Sequence, residues 1–102
     1  MQRMVMTLGV LAAVCAASAP VMASEVLAKS RNCLACHKID AKLVGPAYKE
    51  VAARYSVSDV GRLVESIQKG SRGNWGAVPM PSNKGISEED ARKLATWILG
   101  MK

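Results

Sequence analysis

The spacing of apolar residues along the chain is that of amphipathic helices rather than of strands. After about residue 24, apolar side chains recur every three or four positions, and no segment alternates apolar and polar residues as a half-buried strand does. Helices are therefore predicted over residues 25–32, over residues 47–55, from an N-cap at Ser58 to a stop at Gly70, and after an N-cap at Ser87. The predicted fold class is all-α.

The last predicted helix has the clearest start signal. Ser87 is followed by three consecutive acids, which favour the positive N-terminal end of a helix. The predicted buried positions of this helix and of the two before it follow the i, i+3, i+4, i+7 spacing. They are Tyr48, Val51, Ala52 and Tyr55; Val60, Leu63, Val64 and Ile67; and Ala91, Leu94, Ala95, Ile98 and Leu99.

The first predicted helix has a weaker pattern. Val26, Leu27 and Ser30 are expected to share one side, with Ala28 and Arg31 turned away from it. The helix is expected to end just before a cysteine.

A segment of a different kind, residues 71–84, separates the last two helices. It is rich in glycine and proline, so it cannot form a regular helix or a central strand. A loop of this length in so small a domain is usually functional.

The first 23 residues have the pattern of a secretory signal peptide. A cation at Arg3 precedes a mostly apolar stretch, and Val21-Met22-Ala23 offers small residues at the two positions that a signal peptidase reads. The apolar stretch is shorter than the roughly 20 residues that span a bilayer, although an uncleaved anchor stays the main alternative. The predicted division is a cleaved signal peptide over residues 1–23 and one domain over residues 24–102, exported to the periplasm without stable membrane insertion.

The predicted mature chain is small and basic. Cleavage after Ala23 removes Cys15 and leaves 13 cations against 8 acids, a net charge of about +5. The cations are scattered, which favours an acidic protein partner over nucleic acid. A domain of this size, without a single Phe, rarely builds a sufficient core alone, so some other group is expected to fill its interior.

Cys33-Leu34-Ala35-Cys36-His37 is the C-x-x-C-H signature of covalent c-type haem attachment. Two residues between the thiols let both sulfurs reach the vinyl positions on one porphyrin edge, and the following imidazole then projects under the iron. Three alternatives use the same residues. A thioredoxin-like pair needs a strand, zinc needs about four ligands, and a structural disulfide gives His37 no role.

If His37 is one axial ligand of the iron, elimination points to Met80 as the other. No second His exists, and Met80 and Met101 are the only methionines after the leader. Met101 is penultimate, where the backbone frays, whereas Met80 lies between two prolines that fix its backbone. A Lys ligand such as Lys84 or an open site remains an alternative.

The order of motifs resembles that of the short bacterial class I cytochromes c, the cytochrome c-551/c-552 type. The motifs are C-x-x-C-H, then Val44-Gly45-Pro46-Ala47-Tyr48-Lys49, Gly73-Asn74-Trp75-Gly76, Pro79-Met80-Pro81 and a closing helix with Trp97. The resemblance covers essentially the whole mature chain. It implies the class I cytochrome c fold, in which four to five short helices wrap around one covalently bound haem c.

The resemblance also implies a role for each site residue. It assigns Cys33 and Cys36 to the thioether links and His37 and Met80 to the axial positions. The implied supporting residues are Pro46, whose carbonyl accepts the other ring N–H of His37; Trp75, whose indole N–H points at a haem propionate; and Asn83, near the methionine sulfur. One departure is Ser66, at a position where the family often has an Arg near the propionates.

A haem with both axial positions filled by protein has no place for a substrate, so the sequence predicts a monomeric electron carrier, not an enzyme. The resemblance suggests a quinol-oxidising complex as donor and a terminal oxidase, nitrite reductase or cytochrome peroxidase as acceptor. Two hypotheses compete with the carrier: a peroxidase or gas-binding haem protein, which would need an open sixth position, and a non-haem interaction module.

Overall fold

The computed structural model describes the backbone of residues 18–101 and the side chains of residues 24–101. Within this part of the chain there are four α-helices and two short 3₁₀ turns. The helices are α1 (Ser18–Ser30), α2 (Tyr48–Arg54), α3 (Val60–Lys69) and α4 (Glu88–Leu99), and the turns are Cys33–Ala35 and Val57–Asp59. No strand occurs among residues 18–101, which confirms the predicted all-α class.

Helix α4 is the centre of the core, because α1, α2 and α3 all pack against it. Its five predicted apolar positions are all buried, with Leu94 and Leu99 at 1% and 2% exposure. The predicted N-cap is confirmed as well: the Ser87 hydroxyl accepts a hydrogen bond from the Asp90 backbone N–H at 3.1 Å. The Asp90 carboxylate forms an ion pair with Arg31 at 3.9 Å, which connects the end of α1 to the start of α4.

Helices α2 and α3 bury the faces that their spacing predicts, with one partly buried residue at an end of each stripe. Tyr48, Val51 and Ala52 are buried on α2, and Leu63, Val64 and Ile67 on α3. The third predicted helix starts differently from the expectation. Ser58 is not its N-cap: α3 follows Asp59 directly, and the capping box, in which the Ser56 N–H donates to the Asp59 carboxylate, opens the 3₁₀ turn that precedes α3.

The predicted face of the first helix is right for Leu27, which is partly buried against the core, but wrong for Val26 and Ala28. Ala28 is fully buried, whereas Val26 is 65% exposed. The physical reason is that α1 lies against α4, where a methyl group lets two helices approach closely and a larger side chain would hold them apart. Within the described residues the helix already extends from Ser18, ahead of the predicted start near residue 25, and it ends at Ser30 because Asn32 adopts a left-handed conformation with φ 61°.

The predicted signal peptide lies mostly outside the described residues. Its last six residues, 18–23, form the first part of α1. Within residues 18–101 no helix has both the length and the apolar character needed to cross a bilayer.

Candidate functional site

A cavity of about 430 Å³ opens between α2, α3, the C-x-x-C-H segment and the loop that follows α3. This volume falls within the range of about 300–1,000 Å³ that is usual for cofactor and ligand pockets. Its wall brings together six of the residues that the sequence singled out, and they come from three separate segments of the chain. They are Cys33, Cys36, His37, Pro46, Trp75 and Met80.

The two cysteines are presented by a tight turn directly after α1. The left-handed Asn32 redirects the chain, and the His37 N–H then donates to the Cys33 carbonyl at 3.0 Å. Cys33 and Cys36 are both half-buried and form no disulfide. Burial raises the pKa of the Cys33 thiol above its ordinary value, so this sulfur is uncharged near neutral pH.

The imidazole of His37 is held by a carbonyl on one side and by a glycine against its face. Nδ1 lies 2.8 Å from the Pro46 carbonyl oxygen. Because a carbonyl can only accept, Nδ1 carries the proton and Nε2 keeps its lone pair for another partner. A Cβ at Gly45 would lie 2.5 Å from His37 Cε1, so only glycine leaves room for the ring.

Two successive aromatic contacts connect His37 to the core, and they were not predicted from the sequence. The His37 ring stacks on Tyr48 with centroids 4.8 Å apart and an interplanar angle of 21°. Tyr48 in turn meets Trp97 of α4 edge to face at 5.7 Å. Burial raises the pKa of the Tyr48 hydroxyl, and the nearby Cys33 sulfur raises it further, so Tyr48 stays neutral beside the imidazole.

Met80 lies on the wall formed by the glycine- and proline-rich loop. Its backbone forms one antiparallel bridge with Ser71: the Met80 N–H donates to the Ser71 carbonyl at 2.8 Å, and the Ser71 N–H donates to the Met80 carbonyl at 3.0 Å. Gly70 permits this arrangement, because it has φ 83° and a Cβ there would lie 2.7 Å from the Met80 carbonyl oxygen. The half-buried Met80 side chain packs against the core.

Trp75 lies on the same wall, in contact with α2. Its indole ring meets Tyr55 edge to face at 6.3 Å, and the Arg54 guanidinium lies 4.1 Å from its centroid. Arg54 also donates to the Asn74 carbonyl and so fastens the loop to α2.

Asn83 is the one predicted site residue that is not on the cavity wall within the described part of the chain. Its side-chain amide donates to the Arg31 carbonyl at 2.9 Å, and its backbone N–H donates to the Ile67 carbonyl at 2.9 Å. In this structure Asn83 links α3 to the segment that leads into the cysteines.

The donors on the cavity wall fit an iron porphyrin. Two thiols three residues apart, an imidazole with a free Nε2 and a thioether from another segment all face one largely apolar space. The thiols would supply the covalent links, and the imidazole and the soft thioether suit the iron. Among residues 18–101 no group of three or more His, Cys, Asp or Glu could hold a bare metal ion.

Proteins of known sequence resemble this chain over nearly all of the part that carries the cavity. The family model described as Cytochrome c matches residues 22–102. Cytochrome c-551 of Pseudomonas denitrificans is 49% identical over 80 residues, which cover 76% of this chain and 96% of that protein. Cytochrome c-552 of Nitrosomonas europaea is 49% identical over 78 residues, which cover 74% of this chain and 76% of that protein.

Solved structures resemble the chain in the same region. The crystal structure of wild-type Nitrosomonas europaea cytochrome c552 matches with a TM-score of 0.73 at 46% identity, over 76% of this chain and 99% of that one. The class 1 cytochrome MtoD from Sideroxydans lithotrophicus ES-1 matches with a TM-score of 0.65 at 28% identity, over 79% of this chain and 95% of that one.

Proposed function

Because the chain belongs to the cytochrome c family, we propose that it shuttles single electrons between respiratory complexes in the periplasm. Family membership itself establishes the coarser statement. The protein is a haem-based electron carrier and not an enzyme, it contains covalently bound haem c, and it has the class I cytochrome c fold.

In this proposal Cys33 and Cys36 form the thioether links, and His37 and Met80 are the axial ligands. The position of all four residues around one cavity supports this assignment. So does the contact of His37 Nδ1 with the Pro46 carbonyl, because a ligating imidazole generally gives its second nitrogen to such an acceptor. Trp75 remains a proposed propionate donor. Asn83 remains a proposed neighbour of the methionine sulfur, and its amide binds the Arg31 carbonyl in the segment that leads into Cys33.

The protein's own residues determine how an electron can move through the site. When bound, the haem supplies an iron that accepts or releases one electron while its ligands stay in place. Pro46 and Tyr48 hold His37 in one orientation, and the bridge to Ser71 holds the backbone of Met80. Because both ligands are held before the transfer, little rearrangement is required. The apolar wall disfavours the extra charge of the oxidised site, and the soft thioether favours the reduced one.

The pattern of residues 1–23 supports the periplasmic part of the proposal. The family model begins to match at residue 22, beside the predicted cleavage point after Ala23. Export with removal of the leader would deliver a domain of about the length that the relatives share.

The rim of the cavity supports a transient encounter with acidic redox proteins. Val44 and Val78 line the cavity and are 53% and 65% exposed, so an apolar edge of the site faces solvent. The cations Lys42 and Arg72 also line the cavity. An apolar centre with cations beside it suits a weak, salt-sensitive contact with a partner of opposite charge. We propose a quinol-oxidising complex as donor and a terminal oxidase, nitrite reductase or cytochrome peroxidase as acceptor.

The observation that carries the proposal is that His37 and Met80, from different segments, share one cavity with both cysteines. The test is to express the full chain with haem-maturation machinery and to record the mass and spectrum of the exported product. We expect the mass of residues 24–102 plus one haem, with a Soret band. Addition of carbon monoxide should leave the reduced spectrum unchanged, because both axial positions are filled.

Two results would contradict parts of the proposal separately. A colourless product with the mass of the bare polypeptide would remove the electron-carrier function. A haem-bearing product whose reduced spectrum changes at once with carbon monoxide would remove the His/Met assignment and favour a gas-binding or peroxidase activity.

A further inference from the structure

Two arginines and two aromatic rings form a continuous series of contacts at the cavity. The Arg54 guanidinium lies 4.1 Å from the Trp75 ring centroid, Trp75 meets Tyr55 edge to face at 6.3 Å, and the Arg62 guanidinium lies 5.7 Å from the Tyr55 ring. Together these four residues make up an arginine-aromatic cluster. Tyr55, Arg62 and Trp75 line the cavity itself.

The cluster lies away from the cysteine end of the cavity. Tyr48 marks that end, because its ring stacks on His37 and its hydroxyl is influenced by Cys33. Tyr55 follows Tyr48 by seven residues, which is two helical turns, or about 10 Å along the axis of α2. The cavity therefore has a sulfur end and, about 10 Å away, a cationic end.

Arg62 is a cation of this end that contacts an aromatic ring but has no ion-pair partner among the described residues. Four charged side chains line the cavity, namely Lys42, Glu50, Arg62 and Arg72. Among residues 18–101 no carboxylate forms an ion pair with Arg62, whereas Arg31 and Arg92 each face an acid. Arg54, the other cation of the cluster, donates to the Asn74 carbonyl. A guanidinium held over a ring at a cavity wall is well placed to bind a planar anion.

The group that fills the cavity brings such an anion. The thioether links use the vinyl edge of the porphyrin, and its two propionate carboxylates are on the opposite edge. With the vinyl edge at the sulfur end, the propionates come to the cationic end. Ser66 lies one turn further along α3 and also lines the cavity, but it has no charge to offer.

We propose that Arg62, oriented by Tyr55, binds a haem propionate and supplies the positive charge that Ser66 does not. This inference rests on the proposed function, because it requires the haem. It makes Arg62 a positioning residue that acts on the haem through its carboxylate and affects the equilibrium between the oxidised and reduced forms. Arg54 supports it indirectly by holding Trp75 and the loop against α2.

The sign of the expected effect follows from the charges. A nearby cation disfavours the oxidised haem, which has one more positive charge, and it stabilises the ionised propionate. At a pH where the propionate is ionised in every variant, loss of the Arg62 charge should therefore increase the ratio of oxidised to reduced protein about threefold to tenfold at a fixed applied potential. The pH at which the propionate ionises should rise by about one unit.

The experiment measures the reduction potential of the holoprotein from about pH 4 to pH 9. In each variant it locates the inflection of the plot of potential against pH, which reports the ionisation of the propionate. The variants are R62Q, R62K, R72Q and R92Q. Gln forms helix about as well as Arg, and Arg62 is exposed, so R62Q should keep the fold. R62Q should move the inflection to higher pH, or bring one into the range if the wild type shows none. R62K should restore most of the wild-type behaviour, and R92Q, on α4 away from the cavity, should match the wild type.

Three results would overturn the inference. One is an R62Q titration that matches that of R92Q. Another is a shift of the inflection in R72Q but not in R62Q, which would assign the propionate to the loop. The third is a changed potential in R62Q without any change of the inflection, which would mean a distant charge and no propionate contact. A product without haem would instead contradict the proposed function.

Discussion

The two walls of the cavity that carry the proposed axial ligands are built in different ways. The wall with His37 continues into the core, because His37 stacks on Tyr48, which is 4% exposed and contacts Trp97 of α4. The wall with Met80 is a surface loop, in which residues 72–74 and 76–79 are all exposed and one bridge to Ser71 fixes the backbone.

This difference indicates which proposed ligand is held firmly by the fold and which can leave the iron more easily. A ligand that is packed against the core can leave the iron only if core contacts are lost with it. A ligand on a loop with few buried contacts can leave through a local opening, which costs less than global unfolding. The His37 wall is therefore expected to govern assembly and stability, and the Met80 wall to govern potential and access to the iron.

The largest effect is expected on the His37 wall, from Gly45→Ala. The added Cβ would lie 2.5 Å from His37 Cε1, so the ring must move and lose its contact with the Pro46 carbonyl. Over-packing of this kind costs about 1–3 kcal/mol. We expect a lower yield of holoprotein and a lower Tm, measured by Soret absorbance and thermal unfolding. A Gly45→Ala protein with wild-type yield and Tm would contradict this expectation, because the His37 wall would then accommodate the added methyl group without cost.

Next in size is Met80→Ala, which removes the ligand of the loop wall. The haem should stay attached, because both cysteines remain, but the potential should fall and carbon monoxide should change the reduced spectrum. Met101→Ala is the matched control, since Met101 is the other methionine of residues 24–102 and packs against the core. If Met101→Ala opened the site and Met80→Ala did not, the axial assignment would pass to Met101.

A smaller effect on the loop wall is expected from Gly70→Ala, with Gly73→Ala as its control. Both glycines have positive φ, 83° and 82°, so both substitutions should cost about 1–2 kcal/mol in backbone strain. Only at Gly70 would the Cβ meet another residue, 2.7 Å from the Met80 carbonyl oxygen. Gly70→Ala should therefore bind carbon monoxide more than Gly73→Ala does, with haem content unchanged. Equal carbon monoxide binding would mean that the bridge does not position Met80.

The smallest effect is expected at the exposed tip of the loop wall, from Val78→Asp. Val78 is on the cavity rim, whereas Val57 is similarly exposed, at 72% against 65%, and does not line the cavity. Stopped-flow oxidation of the reduced protein by hexacyanoferrate(III) should slow by about twofold to fivefold at low salt in Val78→Asp. Oxidation by a cationic cobalt complex should become faster, and Val57→Asp should change neither rate. Equal behaviour of the two variants would place electron exchange elsewhere.

Features with a local cause were predictable from the sequence. The cap at Ser87 and the apolar stripe of α4 are short-range patterns, and the structure confirms both. The C-x-x-C-H segment and Met80 between its prolines are equally local. Elimination among a few methionines was enough to nominate Met80.

Features that depend on a distant neighbour were not predictable. The buried face of α1 follows from its contact with α4, so the pattern was misleading at Val26, which is exposed, and at Ala28, which is buried. The stack of Tyr48 on His37 joins residues with no shared pattern in the sequence. Gly45 and Gly70 look like ordinary turn glycines, and only the ring and the carbonyl that face them show why a side chain is excluded there.

The central place of α4 has a consequence for the timing of maturation. The helix that the other three pack against is the last element of the chain, whereas Cys33 and Cys36 come directly after the first. A polypeptide that crosses a membrane from its N-terminus exposes both thiols well before residues 88–99 arrive to complete the interior. If the chain is exported as proposed, the cysteines would be open during that interval to the machinery that joins them to the porphyrin, and closure by α4 would then trap the product.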